Sequence, residues 1–247
     1  MTAQAYSTRV DEIADGIFRI STPVPPSVVP GGFTFNQYLI RDAEPLLFHT
    51  GPRMLFDAVC GGIERVIPLA SLRYVSFSHV EADECGSLNQ FLAVAPQAVP
   101  LCGQVAAMVS IGDLADRAPR VLADQERLSL GRHTVQWLDA PHLPHGWECG
   151  FIGETTTRTL LCGDLFTQFG EKHSPLTESD ILEPSEAART GIMDYYSHSP
   201  DTGRLLERLA ATAPTTLACM HGSAWRGDGA ALLRSLASRL GSAPTRH

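Results

Sequence analysis

Two rhythms of apolar and polar positions divide this chain. Short apolar runs and strict alternation, bounded by glycine, proline and polar turns, predict strands at 16–20, 35–40, 46–50, 74–77, 98–101, 133–139, 149–153, 159–162 and 215–220. Apolar positions at helical spacing predict helices at 55–67, 87–95, 103–111, 185–196, 201–211 and 228–240, the first two stopped by Pro68 and Pro96. Residues 121–130 fit either period. The turns 42–45 and 154–158 join neighbouring strands into hairpins. Residues 23–32, 140–147 and 166–184 are loops, the last long enough to read as functional. The tail after 240 is expected to fray. Strand hairpins and helices occur in each half, and neither a repeat nor a shift in composition divides them. The pattern predicts an α/β (α+β) fold: a four-layer αββα sandwich of two mixed β-sheets, helices outside, built by one domain over 1–247.

Chemistry gathers where these strands end. The run 74–77 leads into His79-Val80-Glu81-Ala82-Asp83-Glu84. In extended chain His79, Glu81 and Asp83 project to one side. Glu81, Asp83 and Glu84 repel one another unless a cation lies between them. An acidic turn of this kind is often merely solvated, but here it sits at the carboxyl end of a predicted central strand, where open α/β sheets place their sites. Later strand ends add His142 or His145, then Asp164, then His221. Three imidazoles and three carboxylates serve two metal ions that share one carboxylate, and Asp164 is the natural bridge. A carboxylate-rich set suits iron or manganese, whereas tetrahedral zinc takes more His or Cys.

These strings resemble the metallo-β-lactamase fold and, within it, the flavodiiron protein branch. Hydrolases of that superfamily carry H-x-H-x-D-H; His79-Val80-Glu81-Ala82-Asp83 is the H-x-E-x-D form of flavodiiron proteins. His145-Gly146-Trp147-Glu148 is similar to their H-W-P-D segment, and the eighteen residues between His145 and Asp164 match the family spacing. Leu161-Cys162-Gly163-Asp164-Leu165-Phe166 is similar to their strand-then-aspartate step, and His221-Gly222-Ser223-Ala224-Trp225 resembles their closing H-G-x-I-W. The resemblance implies that His79, Glu81 and His145 bind one iron, that Asp83 and His221 bind the other, and that Asp164 bridges them as a catalytic centrepiece. Three features depart from the pattern. Glu84 stands where most members have a histidine, so the second metal has one nitrogen fewer unless Glu84 itself binds. His142 competes with His145 as ligand; spacing favours His145 and leaves His142 a catalytic role, orienting a ligand or a substrate proton. Members normally continue into a flavodoxin domain, but this chain stops one helix after His221, so no flavin is expected in it.

The function implied is a non-haem diiron protein that binds or reduces O2 or NO with electrons from a separate donor protein. The cofactors expected are two metal ions, iron favoured, with zinc or manganese as alternatives. The competing reading is a dinuclear metallohydrolase in which a metal-bridging hydroxide attacks an ester, lactone, thioester or phosphoester. Trp147 and Trp225, beside two candidate ligands, are expected to shield the metals from bulk water. Tyr195-Tyr196 resembles an aromatic pair that lies towards the flavodiiron pocket, though core packing explains it equally well. For His49 a hydrogen bond to the site is left open; His133, His173, His198 and His247 read as structural.

Composition narrows the partners. Charged residues make up 19% of the chain and the net charge is −8 without long runs of one sign, which argues against nucleic acid. No segment is long and apolar enough for a membrane span, and 1–9 lacks the apolar stretch of a signal peptide. Six scattered cysteines without a C-x-x-C pair read as free thiols. A cytoplasmic protein is therefore expected, with a homodimer as an open option.

Overall fold

A computed structural model describes residues 6–241; His247 and the tail beyond 241 lie outside them. Two seven-stranded mixed sheets form the centre. The first runs in order through β1 (Arg9–Ala14), β2 (Ile17–Val24), β3 (Phe33–Ile40), β4 (Leu46–Phe48), β5 (Tyr74–Ser76), β6 (Val99–Gly103) and β7 (Arg120–Leu122). Its strands pair antiparallel up to β4 and parallel from β4 to β7. The second contains β8 (Arg127–Ser129), β9 (Thr134–Asp139), β10 (Gly150–Glu154), β11 (Thr159–Leu161), β12 (Leu176–Thr177), β13 (Thr216–Ala218) and β14 (Ala224–Arg226), in the order β12-β14-β13-β11-β10-β9-β8.

Strand alternation separates the layers. Leu46 and Phe48 of β4 face the apolar seam between the sheets, with Tyr38, Trp137, Ile152 and Leu161, while Leu47 points outward. There it packs with Val59 and Ile63 of α1 (Phe56–Ile63) and Phe91 of α3 (Leu88–Val94). On the far side, Leu138, Phe151 and Leu217 lie under α6 (Leu182–Gly191), α7 (Thr202–Ala210) and α8 (Gly229–Gly241). This is the αββα sandwich the periodicity predicted. Trp137 is buried in the seam because Gly103 and Gly150 flank its indole: a Cβ at either would come within 2.9 or 2.2 Å of the ring. Truncating so large a buried side chain costs about 3–5 kcal/mol.

Several elements differ from the periodic reading. The ambiguous 121–130 is no helix; it supplies β7 to one sheet and β8 to the other, and so carries the chain between them. The strands β1 and β14 escaped prediction because β1 lies at a polar sheet edge and β14 has three residues. The helix expected over 185–196 starts earlier and stops at Gly191, leaving 192–198 as loop. In 103–111 the short α4 (Gln104–Ala106) passes through a π-helical turn (Ala107–Ile111) into α5 (Gly112–Leu114). Among the described residues no helix is long and apolar enough to cross a membrane.

Candidate metal centre

The candidate ligands converge at one edge of the sandwich, where β5, β9, β11 and β13 give way to loops. After β5 the chain bends through 78–81 and then turns into α2 (Ala82–Cys85). Asp83 and Glu84 therefore reach the site from a helical turn, whereas Asp83 was expected on extended chain. The glycines that follow or flank ligands have specific tasks. Gly163 adopts φ +50 and leaves no room for a Cβ, which would lie 2.9 Å from Ser78 Oγ; the chain can thus turn sharply out of β11 and present Asp164. Gly146, at φ +59, lets the loop carrying His145 approach His79, whose Cβ would be 3.2 Å from any side chain there.

Asp164 lies between two groups of ligands. Its Oδ2 is 3.6 Å from His79 Nε2 and 3.8 Å from His145 Nε2, whereas its Oδ1 is 3.3 Å from His221 Nε2. Glu81 completes the first group, 3.0 Å from His145 Nε2 and 3.7 Å from His79 Nε2. Asp83 completes the second, 3.5 Å from His221 Nε2. Donor atoms of His79, Glu81 and His145 lie within 4.8 Å of one another, as do those of Asp83, Glu84 and His221, and those of His79, Glu84 and Asp164. His79, Glu84, Asp164 and His221 are buried, while Glu81 is half exposed at the mouth. The buried His79 Nε2, Asp164 Oδ1 and both oxygens of Glu84 have no hydrogen-bond partner. Sealed donor atoms without partners are what a pair of cations needs, and the residue set fits two metal ions on this ground.

The rings are oriented from behind. His145 Nδ1–H donates to the Tyr195 carbonyl at 2.7 Å, and His221 Nδ1–H to the Thr34 carbonyl at 2.8 Å. His79 Nδ1 lies 2.9 Å from Ser78 Oγ, which is 3.0 Å from His49 Nε2. Burial pulls the His49 imidazole down to about 3, so the ring is neutral and accepts from the Ser78 N–H and hydroxyl. These bonds fix each ligand ring with Nε2 towards the centre. His49 is thus tied to the site by the hydrogen bond left open in the sequence. The loop at 192–198 matters because Gly191 ends α6 and frees the Tyr195 carbonyl for His145.

Electrostatics at the centre follow from crowding. Contact with His145 and His79 holds Glu81 down to about 2. Burial lowers His145, but Glu81 and Asp164 outweigh it and push the imidazole up to about 9. Burial raises Asp164, yet His221, His79 and His145 bring its carboxyl well below the usual range. Burial, with Asp164 and Asp83 adding to it, drives Glu84 far up.

His142 stands apart from the converging set. It is exposed at φ +65, its N–H donates to the Gly146 carbonyl at 2.8 Å, and its own carbonyl accepts from Ser197 Oγ at 2.5 Å. Trp147 is 57% exposed and forms the rim of the site, not the shield expected of it; Trp225 is buried in the core under the second sheet. Shielding comes from phenylalanines that sequence reasoning passed over. Phe33 stacks on His221 with centroids 4.1 Å apart, Phe35 meets it edge-on at 5.6 Å, and Phe169 packs on Phe33. Their only signal was position, at the start of β3 and in the loop after Asp164.

The Tyr195 loop is pinned by Asp194, which accepts from Arg189 Nη1 at 2.8 Å and lies 2.9 Å from His198 Nε2. Burial raises the Asp194 carboxyl, but His198, the Tyr196 N–H and Arg189 lower it further. A carboxylate depressed on folding contributes stability above its unfolded value and loses it as pH falls through the folded one. Asp194→Asn is therefore expected to cost about 1–2 kcal/mol at neutral pH. The deficit relative to wild type should shrink below about pH 4, where the unfolded aspartate takes up its proton. Urea unfolding at both pH values measures it.

Comparison with known proteins places this geometry. Residues 33–222 match the model of a family described as ODP family beta lactamase. A rubredoxin-oxygen oxidoreductase from Megalodesulfovibrio gigas is 28% identical over 210 residues, covering 80% of this chain and 50% of that protein. A putative diflavin flavoprotein from Synechocystis sp. is 28% identical over 200 residues, 77% of this chain and 33% of the relative. The chain thus spans half or less of the length of these two relatives. Among solved structures, a fragment of a putative diflavin flavoprotein from Nostoc sp. superposes with a TM-score of 0.79 at 18% identity, covering 97% of each chain. The rubredoxin oxygen:oxidoreductase from Desulfovibrio gigas gives 0.79 at 22% identity, over 96% of this chain and 63% of that one. The fold is that of flavodiiron proteins.

Proposed function

The chain belongs to the ODP family of beta-lactamase-like proteins, and from that premise we propose that it is a non-haem diiron protein that binds or reduces O2 or NO with electrons from a separate donor protein. His79, Glu81 and His145 would hold one iron, Asp83 and His221 the other, and Asp164 would serve both. The observation that carries this reading is the division of Asp164, whose two oxygens face separate imidazole groups at 3.3–3.8 Å. When bound, a pair of irons supplies one-electron chemistry and open coordination positions for a diatomic gas.

The remaining work falls to the chain's own groups. The Thr34 and Tyr195 carbonyls and Ser78 hold the three rings in one tautomer, which keeps the donor atoms in place. Phe33, Phe35 and Phe169 keep water from the His221 side, a setting that suits a small uncharged gas better than a charged ester. Exposed Trp147, Ile192 and Met193 are close in sequence to His145 and Tyr195, and an apolar rim there suits a docking donor protein. The Megalodesulfovibrio gigas relative is named for rubredoxin and oxygen, which supports the same direction by analogy.

The test is metal content and gas consumption together. Protein purified without air and loaded with Fe(II) should hold about two irons per chain, as the paired ligand groups require. After chemical reduction it should consume O2 or NO. Two zinc ions with ester or lactone turnover, and no gas consumption, would replace this reading with the hydrolytic one.

The histidine assignment is tested separately. His145→Ala should weaken iron binding by about 10-fold or more, because it removes a donor within 3.0 Å of Glu81. His142→Ala should leave iron content within error of wild type. The reverse ranking in elemental analysis would reassign the ligand.

A further inference from the structure

We propose that Glu84 is a seventh metal-binding side chain, a second carboxylate shared between the two cation positions, which gives the centre four carboxylates against three imidazoles. The inference rests on the diiron reading and deepens it by one ligand and one charge.

Glu84 is completely buried, and neither of its carboxylate oxygens has a hydrogen-bond partner. Its Oε2 lies 4.0 Å from His79 Nε2. Glu84 groups with His79 and Asp164 on one side and with Asp83 and His221 on the other, so it faces both cation positions. The backbone fixes this orientation. Thr50 N–H donates to the Glu84 carbonyl at 2.8 Å, tying α2 to the end of β4. Gly86 closes the turn, where a Cβ would fall 2.2 Å from the Ala82 carbonyl oxygen.

A second buried glutamate in the same protein shows what a structural role looks like. Glu154, 1% exposed, accepts from the Thr156 N–H at 2.8 Å, from the Thr157 N–H at 2.7 Å and from the Thr157 hydroxyl at 2.6 Å. Every one of those donors is local and saturates the carboxylate. Glu84 receives no N–H or hydroxyl donor of this kind, only the Asp83 carboxylate lies against it, and the charged form of so sealed a carboxylate is strongly disfavoured unless a cation meets it. With Glu81, Asp83 and Asp164 it supplies four negative charges, which balance two divalent cations. Such a set favours oxygen-seeking iron or manganese over zinc and stabilises the oxidised pair.

Apo protein titrated anaerobically with Mn(II), with bound ion read by electron paramagnetic resonance, tests the assignment. Wild type should take up two ions per chain with a spin-coupled signal. Glu84→Gln keeps the shape and removes the charge; its second ion should bind at least about 10-fold more weakly and leave an uncoupled six-line signal. Its apo form should melt at or above the wild-type temperature, because an unpartnered buried carboxylate is gone. Two coupled ions at wild-type affinity in Glu84→Gln would overturn the proposal, and so would an apo form that melts several degrees lower. A wild-type protein that binds neither Mn(II) nor Fe(II) would sink the diiron reading itself, an outcome distinct from either of these.

Discussion

Asp164→Ala is expected to hold at most one ion per chain and to lose gas consumption entirely. The two oxygens of Asp164 are divided between the imidazole groups, 3.6 Å from His79 Nε2 on one side and 3.3 Å from His221 Nε2 on the other. Removing it takes a donor from both positions at once and leaves His79 and His221 facing an empty space. Loss of a positioning partner alone typically costs 10–100-fold in affinity, so loss of a shared ligand should weaken the pair by about 100-fold or more. The fold should survive, because Asp164 makes no side-chain hydrogen bond that supports the core. Circular dichroism should therefore be unchanged while elemental analysis falls to one iron or fewer. A variant with two irons and wild-type O2 or NO consumption would show that another group bridges.

Gly222→Ala should damage both stability and metal binding. Gly222 sits at φ +94, where a non-glycine residue costs about 1–2 kcal/mol. A Cβ there would also lie 2.6 Å from the Cβ and Cδ of Gln168, and overpacking of that kind adds about 1–3 kcal/mol. The Gly222 carbonyl accepts from Arg19 Nη2 at 2.7 Å and from Asn36 Nδ2 at 2.9 Å, so a displaced peptide strands a buried guanidinium and an amide. At this chain length each kcal/mol moves the melting temperature by about 2–4 °C, which predicts a drop of roughly 5–15 °C. His221 is the preceding residue, so metal binding at the site should weaken with it. The control is Gly61→Ala inside α1, where nothing lies within 4 Å of an added Cβ. That change should be neutral or slightly stabilising, since alanine is the better helix former.

The sandwich was legible in the sequence because buried strands and amphipathic helices leave periodic apolar positions. The readings that failed were of segments whose local pattern did not decide their structure. Residues 121–130 carry too few apolar positions to choose, and only pairing with Leu101–Gly103 on one sheet and Thr134–Gln136 on the other made two strands of them. The helix drawn through Tyr195 failed because nothing in its composition marks the need of His145 for a free carbonyl.

What the sequence determined by itself is the chemistry: which imidazoles and carboxylates stand at strand ends, and at what spacing, since side-chain identity is written directly in the chain. Tertiary structure decided the geometry. It divided Asp164 between two groups, set His145 inside the centre and His142 outside it, supplied the Thr34 and Tyr195 carbonyls, and aimed Glu84 inward without a partner. The physical reason is that these last features depend on backbone carbonyls, on the burial of a carboxylate and on contacts between residues far apart in the chain, none of which leaves a mark on local residue pattern.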